Sequence, residues 1–100
     1  MANNLLENPM VIDTAFSTKA SAVVNINVPP GGWVIDHIRW YAPTTASHTF
    51  VIKSADGNTI LLTDYCVVGN TSVEYAMYGM KIEDFQVPTL ASGVLYIYYR

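Results

Sequence analysis

The chain has 100 residues, a formal net charge of −3 and a single cysteine. It therefore has room for one domain and one core, cannot close an internal disulfide and cannot build a thiolate metal cluster. Its five basic residues, Lys19, Arg39, Lys53, Lys81 and Arg100, are spread singly. No basic cluster is present to neutralise a phosphate backbone, so a nucleic-acid partner is not expected.

Hydrophobic residues make up 51% of the chain and charged residues 13%, about half the usual charged share of roughly 25%. Ser, Thr, Asn and Tyr must fill most outward positions. Such a surface costs little to desolvate against another protein, which points to a binding role.

Residues 1–12 read as an N-terminal arm and residues 13–100 as the folded domain. Asn3, Asn4, Glu7, Asn8 and Pro9 favour no regular structure, and Leu5 and Leu6 are apolar without an amphipathic frame. A neighbouring chain is expected to hold this arm down. The arm has no basic start and no apolar stretch of signal-peptide length, so the expectation is a protein made in the cytoplasm and not secreted. Apolar runs such as Val94 to Tyr99 are too short to span a bilayer.

No segment has convincing helical periodicity. Short β-branched and aromatic runs recur instead, broken about every 8 to 12 residues by Gly, Pro, Asn or Asp. Ala22 to Val28 is the first expected strand, ended by Pro29-Pro30-Gly31-Gly32. Trp33 to Tyr41 is the longest. Strict alternation would put Val34, Asp36, Ile38 and Trp40 on one face and Trp33, Ile35, His37, Arg39 and Tyr41 on the other. Neither set is purely polar, so this strand is expected to be central and covered on both sides for much of its length.

Thr49 to Lys53 and Thr59 to Thr63 flank Ser54-Ala55-Asp56-Gly57-Asn58, a strong hairpin signal. Ser72 to Tyr78 and Met80 to Phe85 follow, punctuated by Gly69-Asn70 and Gly79, and Gly93 to Tyr99 closes the chain. The predicted fold is all-β: a single-domain antiparallel β-sandwich or jelly roll of about seven or eight short strands. Pro43-Thr44-Thr45-Ala46-Ser47 parallels Pro88-Thr89-Leu90-Ala91-Ser92. One turn design used twice accounts for the pair better than two symmetric halves, because the hydroxyls can bond nearby backbone.

Chemistry is sparse. Asp36 precedes His37, but strand neighbours point to opposite faces, so they are not expected to bond directly. His48 has no acid within several residues, and no nucleophile elbow appears. No catalytic residue is assigned, and the chain is expected not to be an enzyme. Scattered carboxylates lack calcium-loop spacing, and Glu83-Asp84 reads as a solvated loop edge. No metal site, cofactor or small-molecule substrate is expected. Cys66, among Tyr65, Val67 and Val68, reads as a buried, inert thiol.

The seven tyrosines stand out. Tyr96 and Tyr98 share a face of the last strand, and such rows fill cores, stack on sugars or anchor interfaces. Sugar stacking needs flanking Asp, Asn or Arg, which the Val, Leu and Ile neighbours do not supply. Tyr75, Tyr78, Tyr98 and Tyr99, with Leu5 and Leu6, are the expected interface residues. Trp33, Ile38, Trp40, Phe50 and Ile52 are the expected core.

Trp33, Ile38-Arg39-Trp40, Thr44-Thr45-Ala46, His48, Asp56-Gly57 and Thr89 to Tyr98 together resemble a group of small proteins encoded by tailed bacteriophages. The likeness runs from about Trp33 to Tyr98, with poor matching from Leu62 to Met80 and departures at Pro43 and Cys66. It implies a non-enzymatic virion protein at the capsid surface, made in the host cytoplasm. A capsid decoration or cement protein fits best, one that binds the major capsid protein and copies of itself and braces the shell; such proteins tend to form trimers or to bind three-fold positions. The alternatives are a tail, neck or head-fibre component, or a carbohydrate-binding β-sandwich.

Overall fold

Two antiparallel sheets form once the apolar faces of these strands are paired. The computed structural model describes residues 3–4, 8–24, 32–69 and 71–100, and all statements here concern those residues. The strands are β1 (Met10–Ile12), β2 (Trp33–Tyr41), β3 (Thr49–Ser54), β4 (Ile60–Tyr65), β5 (Val73–Ile82), β6 (Phe85–Leu90) and β7 (Val94–Tyr99). One sheet has the order β1-β7-β2-β5 and the other β4-β3-β6.

Phe16 makes an antiparallel bridge to Val87 in β6, so its segment takes the outer place beside that strand. The second sheet then reads Phe16 segment-β6-β3-β4, and the pair of sheets has the strand order of a jelly roll. The expected antiparallel β-sandwich is the observed fold.

The core lies between the sheets. Trp40 meets Phe50 edge-on with ring centroids 4.7 Å apart, and Trp33 meets Phe85 at 5.6 Å. Ile35, Ile38, Ile52, Val87, Leu95 and Ile97 fill the space around them, all fully buried. Trp40 donates its indole N–H to the Ser92 carbonyl at 3.0 Å, so the largest buried ring carries no orphaned donor.

β2 spans the expected residues and is central, but only one of its faces is covered. Its pairing shifts between Ile35 and His37, where Asp36 is an extra residue relative to β7: Ile35 faces Tyr99 and His37 faces Tyr98. This bulge reverses the alternation. Trp33 and Ile35 point inward before it, and Ile38 and Trp40 after it.

The hairpin forms as expected, with β3 paired to β4. Its turn depends on Gly57 at φ +78° and on Asp56, which accepts from Ser54 Oγ at 2.6 Å and from the Asn58 amide at 2.9 Å. β5 is one strand where two were expected, because Gly79 (φ +77°) sits in a bulge and not in a turn. The sequence of β6 carries no strand signal of its own, because Pro88 reads as a break. That proline falls where β3 and β6 lose register between Val51 and Lys53, so it breaks no ladder bond there.

Ala22 to Val24 belong to a short helix, α1 (Ala20–Val24), and not to a strand; residues 25–28 of that expected strand lie outside the described residues. Asp84 anchors the helix by accepting from Ser21 Oγ at 2.6 Å and from the Ser21 amide at 3.3 Å. It also accepts from the Phe85 amide at 2.8 Å, so Asp84 is a structural acceptor and not a solvated edge.

Within the expected arm, Met10–Ile12 is ordered as β1 against β7, with Met10 and Ile12 fully buried. Alternation around Val11 drives this, and three residues are too few to read as a strand from sequence. Asn3 Oδ1 accepts from the Asp13 and Thr14 amides and ties the preceding chain to the turn after β1.

The two Pro-Thr-x-Ala-Ser segments are not symmetric copies. The first is a loop between β2 and β3, whereas the second begins inside β6. They pack on each other: Ser92 Oγ accepts from the Thr44 amide at 3.0 Å and lies 2.8 Å from His48 Nδ1. Removing this oxygen in Ser92→Ala should cost about 1–2 kcal/mol in urea unfolding. Phe50→Ala, which empties the centre of the sandwich, should cost about 3–5 kcal/mol. If both cost under about 0.5 kcal/mol, the sheets do not close as described.

Candidate functional site

The bulge in β2 places a row of polar and aromatic side chains on the outer face of the four-stranded sheet. Cross-strand pairs there are His37 with Tyr98, Arg39 with Tyr96, and Tyr41 with Val94. On the other side of β2, Ala76 faces His37 and Glu74 faces Arg39. Arg39, Tyr41, Glu74 and Ala76 are exposed, and His37, Tyr96 and Tyr98 are half-buried.

The rings support one another. Tyr41 and Tyr96 meet edge-on at 6.1 Å, the Arg39 guanidinium lies 5.4 Å from the Tyr41 ring centre, and His37 stacks on Tyr98 at 4.2 Å.

Asp36 and His37 bond directly, contrary to expectation. Nδ1 of His37 lies 3.0 Å from Asp36 Oδ2, and a carboxylate only accepts, so Nδ1 carries the proton. The opposite-face rule fails here because the bulge turns both side chains toward the same side. Arg100 donates to Asp36 Oδ1 at 3.1 Å. The hydrogen bond from His37, and next that from Arg100, hold the Asp36 carboxyl below its ordinary range.

A second surface lies where β4 ends and β5 begins. Tyr65, Val67, Val68 and Val73 are 60%, 71%, 63% and 38% exposed. They line a mainly apolar pocket of about 240 Å³ with Trp40, Pro43 and Cys66 at its base. Cys66 is buried, and its thiol donates to the Val68 carbonyl at 3.2 Å. Among the described residues Asp64 is the one charged group on the lining, and the Tyr75 hydroxyl donates to it at 2.5 Å. The loop is held by close backbone: a Cβ at Gly69 would lie 2.5 Å from the Thr44 carbonyl oxygen.

The expected interface residues are dispersed. Tyr98 stands in the outer-face row. Tyr78 is 89% exposed at the β5 bulge, in a left-handed conformation (φ +56°) that a bulky residue rarely adopts. Tyr75 instead packs its ring on Phe50, and Tyr99 packs against the core with its backbone bonded to Asn8. Leu5 and Leu6 lie outside the described residues. Sequence reasoning missed Arg39, Glu74 and Tyr41 as a set, because only the register of β2 brings them beside Tyr96. It also missed Tyr65, Val67, Val68 and Val73, whose exposure follows from an edge position.

The two histidines have different partners, Asp36 for His37 and Ser92 for His48. Among the described residues, neither has both an acid and a hydroxyl bonded to it. Nor do three His, Cys, Asp or Glu side chains gather there in a way that could hold a metal ion. No described helix is long and apolar enough to cross a membrane. Compared with family models, curated proteins and solved structures, the chain matches none.

Burial, and next the bond to Asp64, push the Tyr75 phenol above its ordinary value of 10.0. The folded chain thus holds this proton more tightly than the unfolded chain does. The stabilisation is fully present below pH 10.0 and is lost as pH rises through the range above it. The stability gap between wild type and Tyr75→Phe in urea titrations should stay constant below that pH and close above it. A gap that persists unchanged at about pH 11 would show that the folded chain holds this proton no more tightly than the unfolded chain does.

Proposed function

We propose that this chain is a structural protein of a tailed-phage particle, a capsid decoration or cement protein that docks on the major capsid protein. The resemblance in sequence supplies the class of particle. The observation that carries the docking is the apolar patch of Tyr65, Val67, Val68 and Val73 around its pocket. Contiguous exposed apolar surface of this kind marks protein interfaces, and a pocket at its centre accepts an anchoring side chain from the partner. The one charge among its described lining residues is already bonded to Tyr75, so docking strands no unpaired ion there. Copies of the chain meet at symmetry positions of the shell, as trimers, which lets a small domain bury more surface than it does alone.

Quantitative mass spectrometry of purified particles tests the role. A copy number of the same order as the major capsid protein is expected. A few copies per particle would move the chain to the portal, neck or tail, and absence from the particle would overturn the reading. Val68→Asp, at an exposed position, should leave folding stability within about 0.5 kcal/mol of wild type while releasing the protein from the shell. Retention of this variant on particles would exclude the patch as the docking surface.

A further inference from the structure

We infer that the outer face of the four-stranded sheet is a binding platform for a neutral oligosaccharide of pyranose rings. This goes beyond the capsid role and uses a different surface. A sugar ring offers two kinds of contact: an apolar C–H face, which lies on aromatic rings, and a rim of hydroxyls, which need donors and acceptors in the same plane.

The sheet supplies both. Tyr41, Tyr96 and Tyr98 stand on one face, and alternate residues of a strand are about 7 Å apart. Arg39 and Glu74, opposite each other on β2 and β5, flank Tyr96 and Tyr41. The flanking polar groups that the sequence neighbours of Tyr96 do not provide are supplied by the neighbouring strand.

One observation selects a neutral ligand, and three more favour one built of hydroxyl-bearing rings. The charges beside the tyrosine row balance: Arg39 stands across from Glu74, Asp36 is held by Arg100 and His37, and Lys81 lies further along β5, opposite Val34. A strongly acidic or basic partner would find no net field there. Among the described residues no ion pair joins Arg39 to Glu74, so both keep hydrogen-bonding capacity for hydroxyls. The hydroxyls of Tyr41, Tyr96 and Tyr98 bond to no described residue. Finally, the rings are fixed in advance by the Tyr41–Tyr96 and His37–Tyr98 contacts and by Arg39, which lowers the entropy lost on binding.

The test uses the full chain on an array of cellohexaose, maltohexaose, mannohexaose and chitohexaose, with sialylated and uronic-acid oligosaccharides beside them. Calorimetry follows on any hit. Retention by at least one neutral hexasaccharide is expected, with a dissociation constant between about 10 µM and 1 mM. Tyr96→Ala should weaken it about tenfold or more, and Glu74→Gln and Arg39→Gln should weaken it at unchanged melting temperature. Val68→Asp should bind sugar as wild type does, which separates this site from the capsid-docking patch. Binding to none of the neutral probes, binding to acidic glycans alone, or full affinity in all three outer-face variants would each overturn the assignment.

Discussion

One extra residue in β2 decides which side of the protein is inside. Relative to β7, Asp36 has no partner of its own, so the strand enters the bulge with Ile35 inward and leaves it with Ile38 inward. Without the bulge, strict alternation from Ile35 would turn Arg39 and Tyr41 into the core and put Ile38 and Trp40 in water. Burying a large apolar side chain is worth about 1.5–3 kcal/mol, so the regular register would forfeit several kcal/mol at these two positions alone. The partner strand accommodates the kink with Tyr78 and Gly79, both at positive φ, in the stretch between Ala76 and Met80. A Cβ at Gly79 would come 3.1 Å from the Arg100 guanidinium, the group that bonds to Asp36. The bulge, the ion pair and the outer-face row are therefore one construction.

This explains what could be read in advance. Strand content, the Asp56-Gly57 hairpin and the sandwich class follow from local rules of period and turn chemistry, and those rules hold here. The expected core residues Trp33, Ile38, Trp40, Phe50 and Ile52 are all buried. The faces of β2 were not legible, because a bulge is a negotiation between three strands and leaves no mark on the strand that carries it. Pro88 and Gly79 misled for a related reason. Each reads as a break, yet each sits in a register shift, where a missing N–H or a positive φ costs little. Ala22 to Val24 read as strand by composition, while the capping Asp84 that holds them helical lies 63 residues away from Ser21.

The site was legible only as composition. Seven tyrosines announce contact chemistry, but their roles divide by position. Tyr75 shows how: its ring lies on Phe50 and its hydroxyl reaches Asp64 on the opposite sheet, so it ties the open side of the sandwich shut. Tyr96 shares a strand with the buried Leu95 and Ile97 and faces outward for that reason alone. The informative neighbours of a strand residue are across the ladder, and single-sequence reading sees only those along it.

The edges of the two sheets explain why the apolar patch lies where it does. An open edge invites pairing with any other chain, so stable sandwiches cover or distort theirs. On one side of this molecule both edges are covered, β1 by the bridge from Asn4 to Val11 and β6 by Phe16. On the other side, among the described residues, β4 and β5 carry no further strand in their sheets. β5 is distorted in its middle by the bulge and Gly79, which spoils a straight template. That leaves the end of this side, where Tyr65, Val67, Val68 and Val73 stand in water beside a single charge, Asp64, that is already bonded to Tyr75. Elsewhere the fold blunts its open edge. At this end it keeps apolar surface exposed around a pocket, and a partner that fills the pocket and covers the edge relieves both costs at once.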